Sequence, residues 1–100
     1  MKLALFLAGV AVAMPFSAVA QDSAPARSLA ASCAACHGTD GRSATKEVAA
    51  IAGLPKEHIA SQMRAFRDGT RPATVMHQIA KGYSDQQIDS MADYFSRRPR

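Results

Sequence analysis

Only two cysteines occur among the 100 residues, too few for a disulfide scaffold. They are so close together that a bond between them would close a tiny loop and constrain the unfolded chain very little. Long hydrophobic runs are equally scarce. The longest, Leu3 to Met14, has twelve residues, well short of the roughly 20 that a membrane-spanning helix needs. Beyond residue 20 the uncharged stretches are short and interrupted by Gly or Pro, which leaves no other membrane candidate. Strand patterns are missing too, because no segment alternates apolar and polar residues for long and β-branched residues are scattered. Aromatics make up 6% of the chain, and after residue 20 they are Phe66, Tyr83, Tyr94 and Phe95. A formal charge of +4 is a mild excess, not the dense basic patch that phosphate-backbone binding requires, so nucleic acid is not an expected partner.

What is present starts with a leader. Met1 and Lys2 give a short positive start, the apolar run follows, and Ala18-Val19-Ala20 supplies a small-residue cleavage site. Residues 1–20 therefore read as a secretory signal and residues 21–100 as the mature domain, soluble in the periplasm and without a membrane anchor after cleavage. No Cys stands at the cleavage point to take a lipid. Loss of Lys2 lowers the charge from +4 to +3. A domain of this size seldom gains more than a few kcal/mol from a protein-only core and usually recruits a staple, metal or cofactor.

The patterns that recur are helical. Ala26, Leu29, Ala30 and Cys33 share one face and predict a first helix ending at about Cys36. Residues 38–43 read as a loop. Leu54-Pro55 opens the next helix with Pro at its first position and Glu57 in its first turn. Ile59, Met63 and Phe66 form its apolar stripe, and Gly69 closes it. A short helical segment runs from about Thr74 to Lys81 and stops at Gly82. Ser84 and Gln87 make a capping box for a last helix with Ile88, Met91, Ala92 and Phe95 on one face, and Pro99 ends it. The expected architecture is a single all-α domain.

Cys33-Ala34-Ala35-Cys36-His37 is the sequence of c-type haem attachment. Two thiols one helical turn apart can each add to a vinyl group of one haem, and the adjacent imidazole can then bind its iron. Three other readings compete. A thioredoxin-like dithiol wants a βαβ setting and leaves His37 unexplained. A zinc site needs two more ligands, with only His58 and His77 to supply them. A bare disulfide leaves the core unfilled. The expected cofactor is one covalent haem c on Cys33 and Cys36, with His37 as proximal iron ligand.

A carrier that only moves electrons closes the sixth iron position with Met or His, whereas an open position permits ligand binding or catalysis. The candidates are Met63, Met76, Met91, His58 and His77. Met63 and Met91 lie on apolar stripes and read as core. Met76 follows the break at residues 69–72, where the chain can turn to present a side chain across from His37. It also fits a packing spacing with Ile79, Ala80 and Tyr83, and His77 is its main rival.

The order Cys33 to His37, Gly38, Gly41, Ile51-Ala52-Gly53-Leu54, Phe66-Arg67-Asp68-Gly69-Thr70-Arg71, and Met76 before Ile79 to Asp85 resembles class I c-type cytochromes. The likeness extends over almost all of residues 21–100. It implies the small class I cytochrome c fold, about four to five short helices around one covalently bound haem. Within the class, Arg71 to Met76 and Ile79 to Ser84 most resemble the cytochrome subunit of flavocytochrome c sulfide dehydrogenase, in a single-haem form. That resemblance implies Met76 as the distal haem-iron ligand. It also implies a flavoprotein donor that oxidises sulfide, and a downstream cytochrome or oxidase acceptor. The chain departs from the class at Val48-Ala49-Ala50, where a Pro usually offers its carbonyl to the proximal His ring. Ala49 retains a carbonyl, so the bond is expected to survive with a looser loop.

The function expected is therefore electron transfer, with no catalysis by this chain alone. A free-standing shuttle to an oxidase or another dehydrogenase is the alternative, and a haem enzyme or gas sensor with an open distal site the more distant one. Ile51, Leu54, Ile59, Met63 and Phe66 are candidates for an apolar haem wall. Arg71 is a candidate for a haem propionate or for plain solvation. Lys46, Lys56, Arg64, Arg67, Lys81, Arg97, Arg98 and Arg100 are candidates for docking a partner or for solubility alone.

Overall fold

A computed structural model describes residues 9–13 and 23–100. Most of the expected leader, residues 1–8 and 14–20, lies outside the described residues. Among those described there are five α-helices, one 3₁₀ turn and no strand, in agreement with the all-α expectation. None of the helices is long and apolar enough to cross a membrane.

Helix α1 covers Ala24–Ala31 and is capped by Ser23, whose hydroxyl accepts the Ala26 N–H at 3.2 Å. It does not run on into the cysteine motif. The Ser32 hydroxyl takes the Leu29 carbonyl, and the Cys33 N–H turns to the Ala30 carbonyl three residues back. The ladder tightens for one step, and α2 restarts over Ala34–His37. The segment read as a loop after it contains the 3₁₀ turn Thr39–Gly41.

Helix α3, Lys56–Asp68, carries Pro55 as its cap and not as its first residue. It ends on Gly69 in the left-handed conformation, with the Arg71 N–H returning to the Ala65 carbonyl at 3.1 Å. The short segment after the break is shorter than expected. Val75 caps it, and α4 covers Met76–Ala80. Helix α5, Asp85–Ser96, has both halves of the Ser84–Gln87 capping box.

Helix α5 is the spine against which α1 and α3 pack, and α4 lies on α3. Ile59, Ala60, Ile88, Met91, Ala92, Tyr94 and Phe95 form the centre of the core, with Ala30 from α1. Phe95 meets Tyr94 edge-on at 5.3 Å, and its carbonyl accepts the Gly53 N–H at 2.9 Å, tying the loop before α3 to the end of α5. The core is thin. Among the described residues, six of the eleven buried hydrophobic side chains are alanines, each contributing little more than one methyl group of buried surface.

An ion network braces α3 against α5. Arg64 reaches Asp85 at 3.2 Å and Asp89 at 2.6 Å, and Arg67 reaches Asp85 at 2.8 Å. Arg67 first, then Arg64, holds the Asp85 carboxyl below the usual range. The group is solvent-exposed, so its contribution is present at neutral pH and is lost only in strong acid, below the ordinary carboxylate value.

Candidate haem-attachment site

Cys33, Cys36 and His37 occupy positions i, i+3 and i+4 of one turn, the spacing that puts side chains on a common helix face. The turn is closed by the Cys36 and His37 N–H groups, both donating to the Cys33 carbonyl, at 3.3 and 2.9 Å. Both thiols are free, Cys33 half-buried and Cys36 exposed. Burial pushes the Cys33 thiol up, and Cys36 adds to that.

His37 ends α2, and its Nδ1 lies 2.6 Å from the Ala49 carbonyl oxygen. A carbonyl only accepts, so Nδ1 carries the proton and Nε2 keeps its lone pair for a metal. The bond expected at Ala49 is therefore present without the usual Pro. The loop that presents Ala49 is closed at its base, where the Ile51 and Ala52 N–H groups both donate to the Gly41 carbonyl, at 2.9 and 3.1 Å.

Two glycines make this geometry possible. Gly38 has φ +81°, and a Cβ there would stand 2.1 Å from the Arg42 carbonyl oxygen. Gly41 has φ +79°, and its Cβ would meet Ile51, Ala52 and Phe95 at 2.7 to 2.9 Å. Gly38→Ala is expected to cost about 2–4 kcal/mol, combining left-handed strain with overpacking. Denaturant unfolding of the holoprotein checks this, and an unchanged midpoint would show that the loop relaxes freely.

Asp40, at φ +53°, also turns the chain. Its carboxylate accepts the Tyr94 hydroxyl at 2.7 Å, fixing the turn after His37 to α5. Sequence reasoning missed this pair because 54 positions separate its members, although Asp is one of the few residues that tolerates that conformation.

Met76 is the first residue of α4 and is half-buried. Met91 is 3% exposed inside the core, and Met63 packs at the core's edge, as their stripes imply. His58 is exposed and His77 half-buried. Among the described residues no three His, Cys, Asp or Glu side chains gather to hold a metal ion, so neither His completes a zinc site with the cysteines.

The proposed wall residues separate. Ile51, Leu54 and Met63 are partly buried against the core, and Phe66 is half-buried. Ile59, 7% exposed, belongs to the core itself and has little surface left to offer a ligand. Arg71 folds back on α3, donating to Gln62 Oε1 and lying 4.6 Å over the Phe66 ring. The cations separate as well. Arg64, Arg67 and Arg97 are in ion pairs with Asp85, Asp89, Asp68 and Asp93. Arg98 lies over Tyr94. Lys46, Lys56 and Lys81 stand exposed in no ion pair among the described residues.

Two free thiols and one oriented imidazole on a single turn form a donor set that fits a covalently attached haem. Residues 20–95 match the family described as cytochrome c oxidase, cbb3-type, subunit III. The cytochrome subunit of sulfide dehydrogenase from Chlorobaculum tepidum is 43% identical over 67 residues, covering 67% of this chain and 60% of that protein. A thiosulfate dehydrogenase electron acceptor from Thiomonas intermedia is 42% identical over 69 residues, 68% of this chain and 32% of its own length. Cytochrome c-553 from Nitratidesulfovibrio vulgaris is 31% identical over 101 aligned positions, 97% of this chain and 99% of that one. The chain thus spans less than two thirds of the first two relatives and nearly all of the third. On the family match and the full-length likeness, the chain belongs to the class I c-type cytochromes, and its cofactor is covalently bound haem c.

Proposed function

We propose that this protein is an exported periplasmic electron carrier in which Cys33 and Cys36 hold one haem, His37 is the proximal iron ligand and Met76 the distal one. The observation that carries the reading is the single turn that aligns both thiols with His37 while Ala49 takes the Nδ1 proton. The haem, when bound, supplies reversible one-electron chemistry. His37, fixed by Ala49, keeps one orientation and a more basic Nε2. Met76 would hold the iron together with His37, leaving it closed to substrate, so the chain by itself would act as a carrier. Ile51, Leu54, Met63 and Phe66, all partly buried, would shield the ring from water. Residues 1–20 act as the export signal.

The donor we propose is an exported flavoprotein that oxidises sulfide, with this chain as its haem subunit and a cytochrome or oxidase as acceptor. Likeness to the sulfide dehydrogenase subunit supports that assignment. Near-complete coverage of a small cytochrome of the same length supports a second reading, a free-standing shuttle. Mixing the purified cytochrome with an exported flavoprotein that oxidises sulfide, taken from the same cells, distinguishes them. The subunit reading predicts rapid haem reduction at low sulfide, much slower reduction without the flavoprotein, and co-purification of the two chains. A flavoprotein that reduces unrelated cytochromes equally well and never co-purifies would leave the shuttle. Salt adds a second measure, since a charge-steered encounter through Lys46, Lys56 and Lys81 slows steeply with ionic strength and a permanent apolar contact does not.

A further inference from the structure

One long-range polar contact joins the haem-attachment turn to the segment that carries Met76. Ser32, immediately before Cys33, and Tyr83, between α4 and α5, are 51 positions apart in sequence with their hydroxyl oxygens 2.9 Å apart. Proton counting sets the direction. The single Ser32 hydroxyl proton goes to the Leu29 carbonyl at 2.9 Å, so Tyr83 donates and Ser32 Oγ accepts.

Tyr83 is held firmly at its base. Its N–H donates to the Ala80 carbonyl at 3.3 Å and that of Gly82 to Ile79 at 3.1 Å, which fixes it to the end of α4. The next residue, Ser84, is the cap of α5 and is closed by its box with Gln87. The ring packs against the edge of the core. Between Met76 and Tyr83 lies Ala80, wholly buried, so the two ends of this short segment share one anchored pivot. The Tyr83 hydroxyl then grips the neighbour of Cys33.

We infer that Tyr83 is a positioning residue: through Ser32 it fixes α4, and with it Met76, relative to the haem-attachment turn, and so sets how readily the distal ligand yields to an outside one. This rests on the proposed ligation by Met76. Loss of the hydroxyl frees the segment to swing without removing any iron ligand, and the apolar ring still packs.

The test uses ferric holoprotein in five forms: wild type, Tyr83→Phe, Ser32→Ala, their combination, and Ser32→Thr. Two quantities are read. One is the affinity for added imidazole; the other is the temperature at which the far-red sulfur-to-iron band disappears, compared with the temperature of global unfolding. Tyr83→Phe is expected to raise imidazole affinity about three- to tenfold, the equilibrium effect of one net hydrogen bond, and to lose the band ahead of unfolding. Ser32→Ala should match it, and the double variant should be no worse than either single one. Ser32→Thr, which keeps a hydroxyl, should stay close to wild type. A merely structural tyrosine would lower the unfolding temperature and leave imidazole affinity unmoved. Unchanged affinity and band in both Tyr83→Phe and Ser32→Ala, in a protein whose wild type has the band, overturn the inference and leave Met76 ligation standing. A wild type without the band overturns the Met76 reading itself, and this inference with it.

Discussion

Replacing Cys33 and Cys36 together by Ala is expected to abolish holoprotein and to leave the chain largely unfolded. The thiols contribute little packing, since Cys36 is exposed and Cys33 half-buried, so the effect comes from the group they anchor. Among the described residues, six alanines in the eleven buried hydrophobic side chains, and Ile88 as the largest side chain fully enclosed, make a small apolar core. Burying a large side chain contributes about 1.5–3 kcal/mol and a methyl group under about 1, against an ordering cost of about 1–2 kcal/mol for every residue's backbone. A haem ring is the missing apolar mass. Circular dichroism and the yield of coloured protein from cells competent in haem attachment check this outcome. A haem-free double variant with full helical content and a cooperative unfolding transition would show that the protein core suffices alone.

Met76→Ala is the second large effect. On the proposed ligand set, ferric wild type has the weak far-red sulfur-to-iron band, and its ferrous form binds carbon monoxide poorly at neutral pH. The substitution should remove the band and open the distal position to carbon monoxide. Met76 is only half-buried at the first residue of a short helix, so truncation there leaves the core intact. Met63→Leu and Met91→Leu are the controls. Both sites are packing positions, where such a volume-conserving exchange costs under about 1.5 kcal/mol, and both variants should keep the band. An intact band in Met76→Ala would move the ligand to another residue. Rapid carbon monoxide binding by the wild type would favour a haem enzyme or gas sensor.

What was readable in the sequence was what local chemistry determines. The capping box of Ser84 and Gln87, the glycine stop at Gly69 and the apolar stripe of α5 each depend on residues within a few positions, and the structure has them where expected. Prediction failed where a side chain outside the pattern intervened. The first helix breaks at Ser32 because that hydroxyl takes the Leu29 carbonyl, a competition that apolar spacing does not register. Pro55 caps α3 from one position earlier than expected, the ordinary imprecision of helix ends.

The attachment motif was legible because its three donors are consecutive or nearly so. Its support was only partly legible. The Ala49 carbonyl was recognised from the class pattern, but Asp40 with Tyr94 and Ser32 with Tyr83 are 54 and 51 positions apart, and only the folded chain brings them together. The same holds for charge. Arg64 and Arg67 look like docking residues in the sequence, and in the fold Asp85 and Asp89 engage them.

The most direct measurement of the central claim is the intact mass of the protein purified from such cells, taken after denaturation and acid-organic extraction of free haem, alongside the visible spectrum of the extracted chain. The account predicts residues 21–100 plus one haem, with the mass and colour staying with the polypeptide and both lost in the Cys33→Ala, Cys36→Ala variant. A colourless chain of unmodified mass, with the haem in the organic phase or none present, would contradict it.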